Sequence, residues 1–226
     1  MGWRFPAEGG RRGTVVFLHG LGANRAGAIP IAAHFTTRGF DVVAYDGRAH
    51  GDSGGDACTY GFYEKRDLAR VIDQLASGPV VAFGWSLGAG VALQAAAQDQ
   101  RIALVVAVAP FSDLRTAAIE RAPPFASRAS IAEAFRIAEA QGRFRVEDAS
   151  PMDAAVHIRA PVLVIHGAED HQTPIAHAHR VFDRLAGPKK LVVVPGAGHV
   201  DVLGPSTWQE VDDFVSANLA TRAPPK

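Results

Sequence analysis

Val80-Val81-Ala82-Phe83-Gly84-Trp85-Ser86-Leu87-Gly88-Ala89-Gly90-Val91 carries the plainest architectural signal in the sequence. Its opening residues form a short apolar run, β-branched at its start and closed by glycine, the habit of a strand buried on both faces. Residues 87–97 are almost wholly apolar and read as a buried helix. Ser86 therefore stands between a strand and a helix, with a glycine two residues before it and another two after it. A serine on so sharp a turn has strained backbone angles and an exposed hydroxyl, and the helix N-terminus behind it offers partial positive charge to a developing oxyanion. The pattern is that of a nucleophile elbow, which makes Ser86 the candidate nucleophile.

On either side of this stretch, further apolar runs closed by Gly, Asp or Pro predict strands at 14–18, 41–45, 104–109, 162–165 and 191–194. Helical spacing falls between them. Residues 28–37 follow the first strand, and 64–75 carry Leu68, Val71, Ile72 and Leu75 on one stripe. Residues 174–185 open with Thr173 as the expected N-cap and Pro174 at the first helical position. Ser206 and Gln209 read as a capping box for a last helix ending near Leu219. The repeated β-α alternation predicts an α/β protein with a doubly wound, mostly parallel sheet, whose ligands bind beyond the carboxyl ends of the strands.

Residues 111–157 break the alternation. They are too long for a plain crossover and carry Pro123-Pro124 and a predicted helix at 130–141, with Ile131, Phe135 and Ala138 on its apolar side and Glu133, Arg136 and Glu139 facing elsewhere. The segment is either a small lid or an ordinary packed insertion within one domain spanning 1–226.

The base should lie on a loop at the same edge of the sheet. Gly196-Ala197-Gly198-His199 follows the last strand, and that position raises His199 above the other eight histidines. The acid is expected at the end of the penultimate strand. His166-Gly167-Ala168-Glu169-Asp170 offers Asp170, which also has the makings of a cap for the next helix; Glu169 and Asp113 are the alternatives. The order Ser86, Asp170, His199 differs from the chymotrypsin and subtilisin orders.

With these motifs in place the chain resembles the α/β-hydrolase superfamily over nearly its full length, especially small bacterial serine hydrolases with a minimal lid. His19-Gly20-Leu21-Gly22, the run from Asp46 to Ser53, the elbow, residues 166–174 and Gly196-Ala197-Gly198-His199 carry the resemblance in order. It implies a Ser86–His199–Asp170 triad, an oxyanion hole made by the backbone N–H groups of Leu21 and Leu87, and supporting roles for His19 and the His50 loop. Two departures bear on the structure. The family's first two strands have no clear room before Thr14, so the sheet is expected to start one or two strands short, with residues 3–5 at most a remnant. The loop also reads Gly47-Arg48-Ala49-His50-Gly51, where relatives commonly have arginine-glycine-histidine-glycine.

The expected reaction is hydrolysis of a carboxylic ester of small or medium acyl chain through an acyl-enzyme, with no metal or organic cofactor. Thioester, lactone or amide cleavage, acyl transfer to another acceptor, and a binding protein without chemistry are the competing readings. Trp85, Phe111 and Phe125, with Leu21 and Leu87, are candidate walls of an apolar acyl pocket, against the simpler reading that each packs the core.

Composition narrows the field. The 226 residues, 48% hydrophobic and 20% charged, suit one compact domain. Twenty-three basic residues balance 23 acidic ones, so nucleic acid is not expected as a partner. Cys58 is the sole cysteine, which bars an intrachain disulfide and fits a reducing cytoplasm. Residues 1–13 lack the apolar core of a secretory signal, and no run of 18 apolar residues predicts a membrane span. Oligomeric state is not legible in the sequence. The tail from Thr221 is given no role.

Overall fold

A computed structural model describes residues 1–219; the tail from Thr221 lies outside them. Among the described residues seven strands form one sheet: β1 (Gly2–Phe5), β2 (Gly13–Leu18), β3 (Phe40–Tyr45), β4 (Val80–Trp85), β5 (Ile102–Val108), β6 (Val162–Gly167) and β7 (Lys189–Val194). Their spatial order is β1-β3-β2-β4-β5-β6-β7. Every pairing from β3 to β7 is parallel, and β1 alone runs antiparallel, against β3. All residues of β2, β5 and β6 are buried, as are all but the last of β4, because helices cover both faces of the sheet.

Two apolar layers result. On one face α1 (Ile29–Thr36) and α8 (Pro205–Leu219) bring Ile31, Phe35, Val211 and Phe214 against Phe83, Leu104 and Leu163. On the other lie α2 (Glu64–Ile72), α3 (Leu87–Ala96), α4 (Leu114–Glu120), α5 (Arg128–Gly142), α6 (Pro151–Ala155) and α7 (Ala176–Arg184). They contribute Leu68, Leu93, Leu114, Phe135, Ala155 and Val181. Each such leucine or phenylalanine contributes about 1.5–3 kcal/mol through burial. At the β7 edge Lys189 and Lys190 stand exposed, which discourages pairing with another chain.

Residues 3–5 are more than a remnant: Gly2–Phe5 pairs residue for residue with Tyr45–Val42 of β3. The strand is short of apolar signal, and charge anchors it instead. Asp41, buried on β3, accepts from Arg4 Nη2 at 2.8 Å, from Arg11 Nε at 2.9 Å and from the Ala7 N–H at 2.9 Å. These contacts outweigh burial, which alone would raise the Asp41 carboxyl, and hold it below its ordinary range.

Four local expectations change. The segment 28–37 begins as a 3-10 turn, Arg25–Ala28, with Asn24 as its side-chain cap, and continues into α1. Thr173 is not a helix cap; α7 begins at Ala176, because the Thr173 N–H and carbonyl are engaged in the turn before it and a residue preceding proline avoids helical angles. α8 starts at Pro205, so Ser206 lies inside the first turn and the Trp208 N–H bonds the Gly204 carbonyl. On α5 only Phe135 of the expected apolar trio is fully buried; Ile131 is half-buried and Ala138 exposed. Glu139 turns inward and accepts from the Val146 N–H at 2.9 Å. None of the described helices is long and apolar enough to cross a membrane.

Candidate active site

Ser86 follows β4 and caps α3 with φ 52° and ψ −111°, the strained backbone anticipated for the elbow. Its amide donates to the Val108 carbonyl of β5 at 2.8 Å and its carbonyl accepts from Gly90 at 3.1 Å, so the strained residue is fixed from both sides. The glycines at either side of the elbow are required by close approach. A Cβ on Gly84 would fall inside the Gly88 carbonyl, and one on Gly88 would fall inside the Leu18 carbonyl of β2. The backbone on the other side cannot yield, so Gly88→Ala is expected to cost more than about 4 kcal/mol and to abolish soluble, cooperatively unfolding protein. Gly54→Ala, where an added Cβ meets nothing within 4 Å, should leave the urea midpoint unchanged. Equal midpoints for the two variants would contradict this packing.

The base and acid candidates meet. His199 Nδ1 donates to Asp170 Oδ2 at 2.6 Å, which leaves Nε2 as the nitrogen able to accept a proton. The His199 carbonyl accepts from the Trp85 indole Nε1 at 3.1 Å, tying the histidine's backbone to the residue beside Ser86. Trp85 thus braces the candidate base, a role its bulk alone does not disclose. Gly167, at the end of β6, has no room for a Cβ because Ala197 and Gly198 lie against it, and this contact seats the His199 loop on the sheet edge.

Asp170 is buried, 4% exposed. Its Oδ1 accepts from the N–H groups of Gln172 at 2.9 Å and Thr173 at 2.8 Å, and His166 Nε2 lies 3.3 Å from Oδ2. Burial would raise its carboxyl, but the hydrogen bonds from His166, His199 and Thr173 win and hold it well below the usual carboxylate range. Glu169 is exposed, and Asp113 caps α4 by accepting from the Thr116 N–H at 2.7 Å, so neither alternative pairs with His199. His166 joins the site without a chemical motif of its own, and its spacing of four from Asp170 is the signal in the sequence.

Leu87 is the first residue of α3, whose amide has no partner within the helix, and Leu21 lies in the turn after β2. Gly20 brings that turn over the elbow, since a Cβ there would sit 3.5 Å from Ser86 Cβ. His19 Nδ1 donates to the Gly20 carbonyl at 2.8 Å, and Nε2 accepts from the Gly47 N–H at 2.9 Å. It joins the loops after β2 and β3. Phe111 is buried against Gly90 and Tyr60, whereas Phe125, between α4 and α5, is 90% exposed and stands in solvent rather than in a wall. A cavity of about 680 Å³ between β1, β3 and α2 is lined by none of Ser86, Asp170 and His199. Among the described residues no group of three His, Cys, Asp or Glu side chains is arranged to hold a metal ion.

The sequence profile of the alpha/beta hydrolase fold matches residues 13–130, and that of TAP-like protein matches residues 139–224. The chain belongs to the α/β-hydrolase family. It is 31% identical over 199 residues to the uncharacterized protein YqkD of Bacillus subtilis, a match covering 82% of this chain and 64% of that longer relative. An esterase of Pyrococcus furiosus, Pf2001, superposes with a TM-score of 0.76 at 22% identity over 97% of this chain and 92% of its own. A monoacylglycerol lipase of Paleococcus ferrophilus gives 0.73 at 25% identity over 97% and 98%.

This α/β-hydrolase also holds a serine, a histidine and a carboxylate in a row away from the elbow. Ser112 Oγ lies 2.8 Å from His177 Nδ1, and His177 Nε2 donates to Glu120 Oε2 at 2.8 Å. Its chemistry is different. Ser112 is fully buried, its hydroxyl donates to Asp113 at 2.8 Å, and its own N–H already occupies His177 Nδ1 at 3.1 Å. The array is a polar pin between α4 and α7. Burial, with the Arg180 charge, depresses the His177 pKa against the opposing pull of Glu120 and Asp113. The native state then binds fewer protons there than the unfolded chain, so this histidine's contribution to stability falls as pH drops below about 6.5. Thermal melts should accordingly show the advantage of wild type over His177→Gln shrinking on acidification. An advantage that grows at low pH would mean that the folded histidine is charged.

Proposed function

We propose that this chain is a serine hydrolase cleaving carboxylic esters of small to medium acyl chain, with Ser86 as nucleophile, His199 as base and Asp170 as the acid that orients it. The observation that carries this reading is the strained serine at the elbow together with a histidine whose Nδ1 is committed to a buried carboxylate and whose carbonyl is bonded by the indole of the residue before that serine. Likeness at 25% identity to a monoacylglycerol lipase favours an ester over the other acyl compounds.

In the first half-reaction His199 Nε2 takes the Ser86 proton as Oγ bonds to the ester carbonyl carbon. The carbonyl electrons move onto oxygen, which the Leu21 and Leu87 N–H groups stabilise by about 3 kcal/mol each. The intermediate collapses, the bond to the alcohol oxygen breaks, and His199 returns its proton to the departing alcohol. Water then attacks the acyl-enzyme with His199 again as base, releasing a carboxylic acid and free Ser86. Asp170, held ionised, stabilises the imidazolium at each step. The neutral reaction calls for no cofactor, and residues 111–157 form a small lid or packed insertion within one domain. The free thiol of Cys58 suits a reducing compartment such as the cytoplasm.

Steady-state hydrolysis of p-nitrophenyl esters of increasing acyl length tests the proposal. Turnover with an optimum at short or medium chains supports it. Turnover confined to acyl thioesters, lactones or amides would replace the substrate class, and no acylation of Ser86 by any of them would favour a binding protein.

A further inference from the structure

Asp170 points at His199 because its other oxygen is tethered. The two amides that hold Oδ1 belong to Gln172 and Thr173, and both residues are gripped from outside by one side chain. Arg121 donates Nε to the Gln172 carbonyl at 2.8 Å and Nη2 to Thr173 Oγ1 at 2.7 Å. It lies 51 residues from Gln172 in sequence, at the C-terminal cap of α4. The end of that helix is itself fixed, since Glu120 accepts from His177 and lies 3.5 Å from Arg180 of α7. From inside the sheet, His166 Nε2 donates to the Thr173 carbonyl at 2.7 Å. Thr173 is thus clamped between a buried histidine and an arginine from the 111–157 segment.

We infer that Arg121 is a positioning residue for the catalytic acid: by holding the Gln172–Thr173 turn it fixes the plane of the Asp170 carboxylate against His199 and couples α4 to the active site. The inference rests on the proposed triad. A carboxylate rotates freely about its last bond unless one oxygen is pinned; pinning Oδ1 with two amides aims Oδ2 at the imidazole. Releasing the turn leaves the acid present and ionised but badly aimed, and a displacement of about 1 Å at such a site costs about 100-fold in rate. The planar fork of arginine reaches both acceptors at once, whereas lysine, with one nitrogen, reaches them as a point donor.

Two readouts on Arg121→Ala, Arg121→Lys and Arg115→Ala decide it. Arg115 sits on the same helix but pairs with Glu147, so it controls for general loosening of α4. The first readout is the far-downfield proton resonance of His199 Nδ1–H in the hydrogen bond to Asp170, which needs no substrate. It should weaken or move upfield in Arg121→Ala, do so to a lesser degree in Arg121→Lys, and stay in place in Arg115→Ala. The second is ester kinetics, where kcat should fall roughly 10- to 100-fold with KM unchanged in Arg121→Ala only. An unshifted resonance with unchanged kcat in Arg121→Ala would overturn the inference, as would equal losses in Arg115→Ala. Failure of the wild type to cleave esters would count against the proposed substrate and leave the resonance to decide the positioning role.

Discussion

Ser86→Ala is expected to reduce kcat for ester hydrolysis by roughly 10⁶-fold, to the residual rate over water that the oxyanion hole and binding still supply. The substitution leaves the strained backbone in place, so melting curves of variant and wild type should superimpose. Ser112→Ala should behave in the opposite way. It removes a buried hydroxyl bonded to Asp113 and near His177, which costs about 1–3 kcal/mol of stability while kcat stays near wild type. Steady-state kinetics and denaturant melts on the two variants separate the elbow serine from its buried counterpart. A large kinetic loss in Ser112→Ala with an active Ser86→Ala would reverse the assignment.

The second large effect concerns the acid. Asp170→Asn should lower kcat by about 10⁴-fold with little change in KM. The amide nearly preserves shape but removes the charge opposite the imidazolium and is able to donate to Nδ1, which would move the ring proton to Nε2 and leave no acceptor for the Ser86 proton. The native carboxyl is held ionised far into acid, so this deficit should persist from neutral pH down to pH about 5 rather than vanish as the wild-type carboxylate is titrated. A deficit that disappears on mild acidification would show that Asp170 is not the ionised partner of His199.

The sheet interior was legible because strands covered on both faces have no place for polar residues, and the runs at 14–18, 104–109 and 162–165 all fall within observed strands or within one residue of them. β1 was not, since Gly-Trp-Arg-Phe carries no apolar run and is secured by an aspartate more than 30 residues away. The capping pattern at Thr173 misled for a related reason: its polar groups serve Arg121, His166 and Asp170 instead of a helix end. Within the site, chemistry and chain order nominated Ser86, Asp170 and His199, because strand ends and loops announce themselves in sequence. The bracing of His199 by Trp85 and of the acid turn by Arg121 was hidden, because each spans a long sequence separation and uses a residue type with many other roles.

A fluorophosphonate, which bonds through phosphorus to an activated serine and expels fluoride, reports whether Ser86 is the activated nucleophile. Trypsin cleavage at Arg70, Arg101 and Arg115 places Ser86 and Ser112 on different peptides, 71–101 and 102–115. A single adduct is expected, on Ser86 of peptide 71–101, lost in Ser86→Ala and weakened in Asp170→Asn. An adduct on Ser112, or an esterolytic wild type that takes up no probe at Ser86, would contradict it.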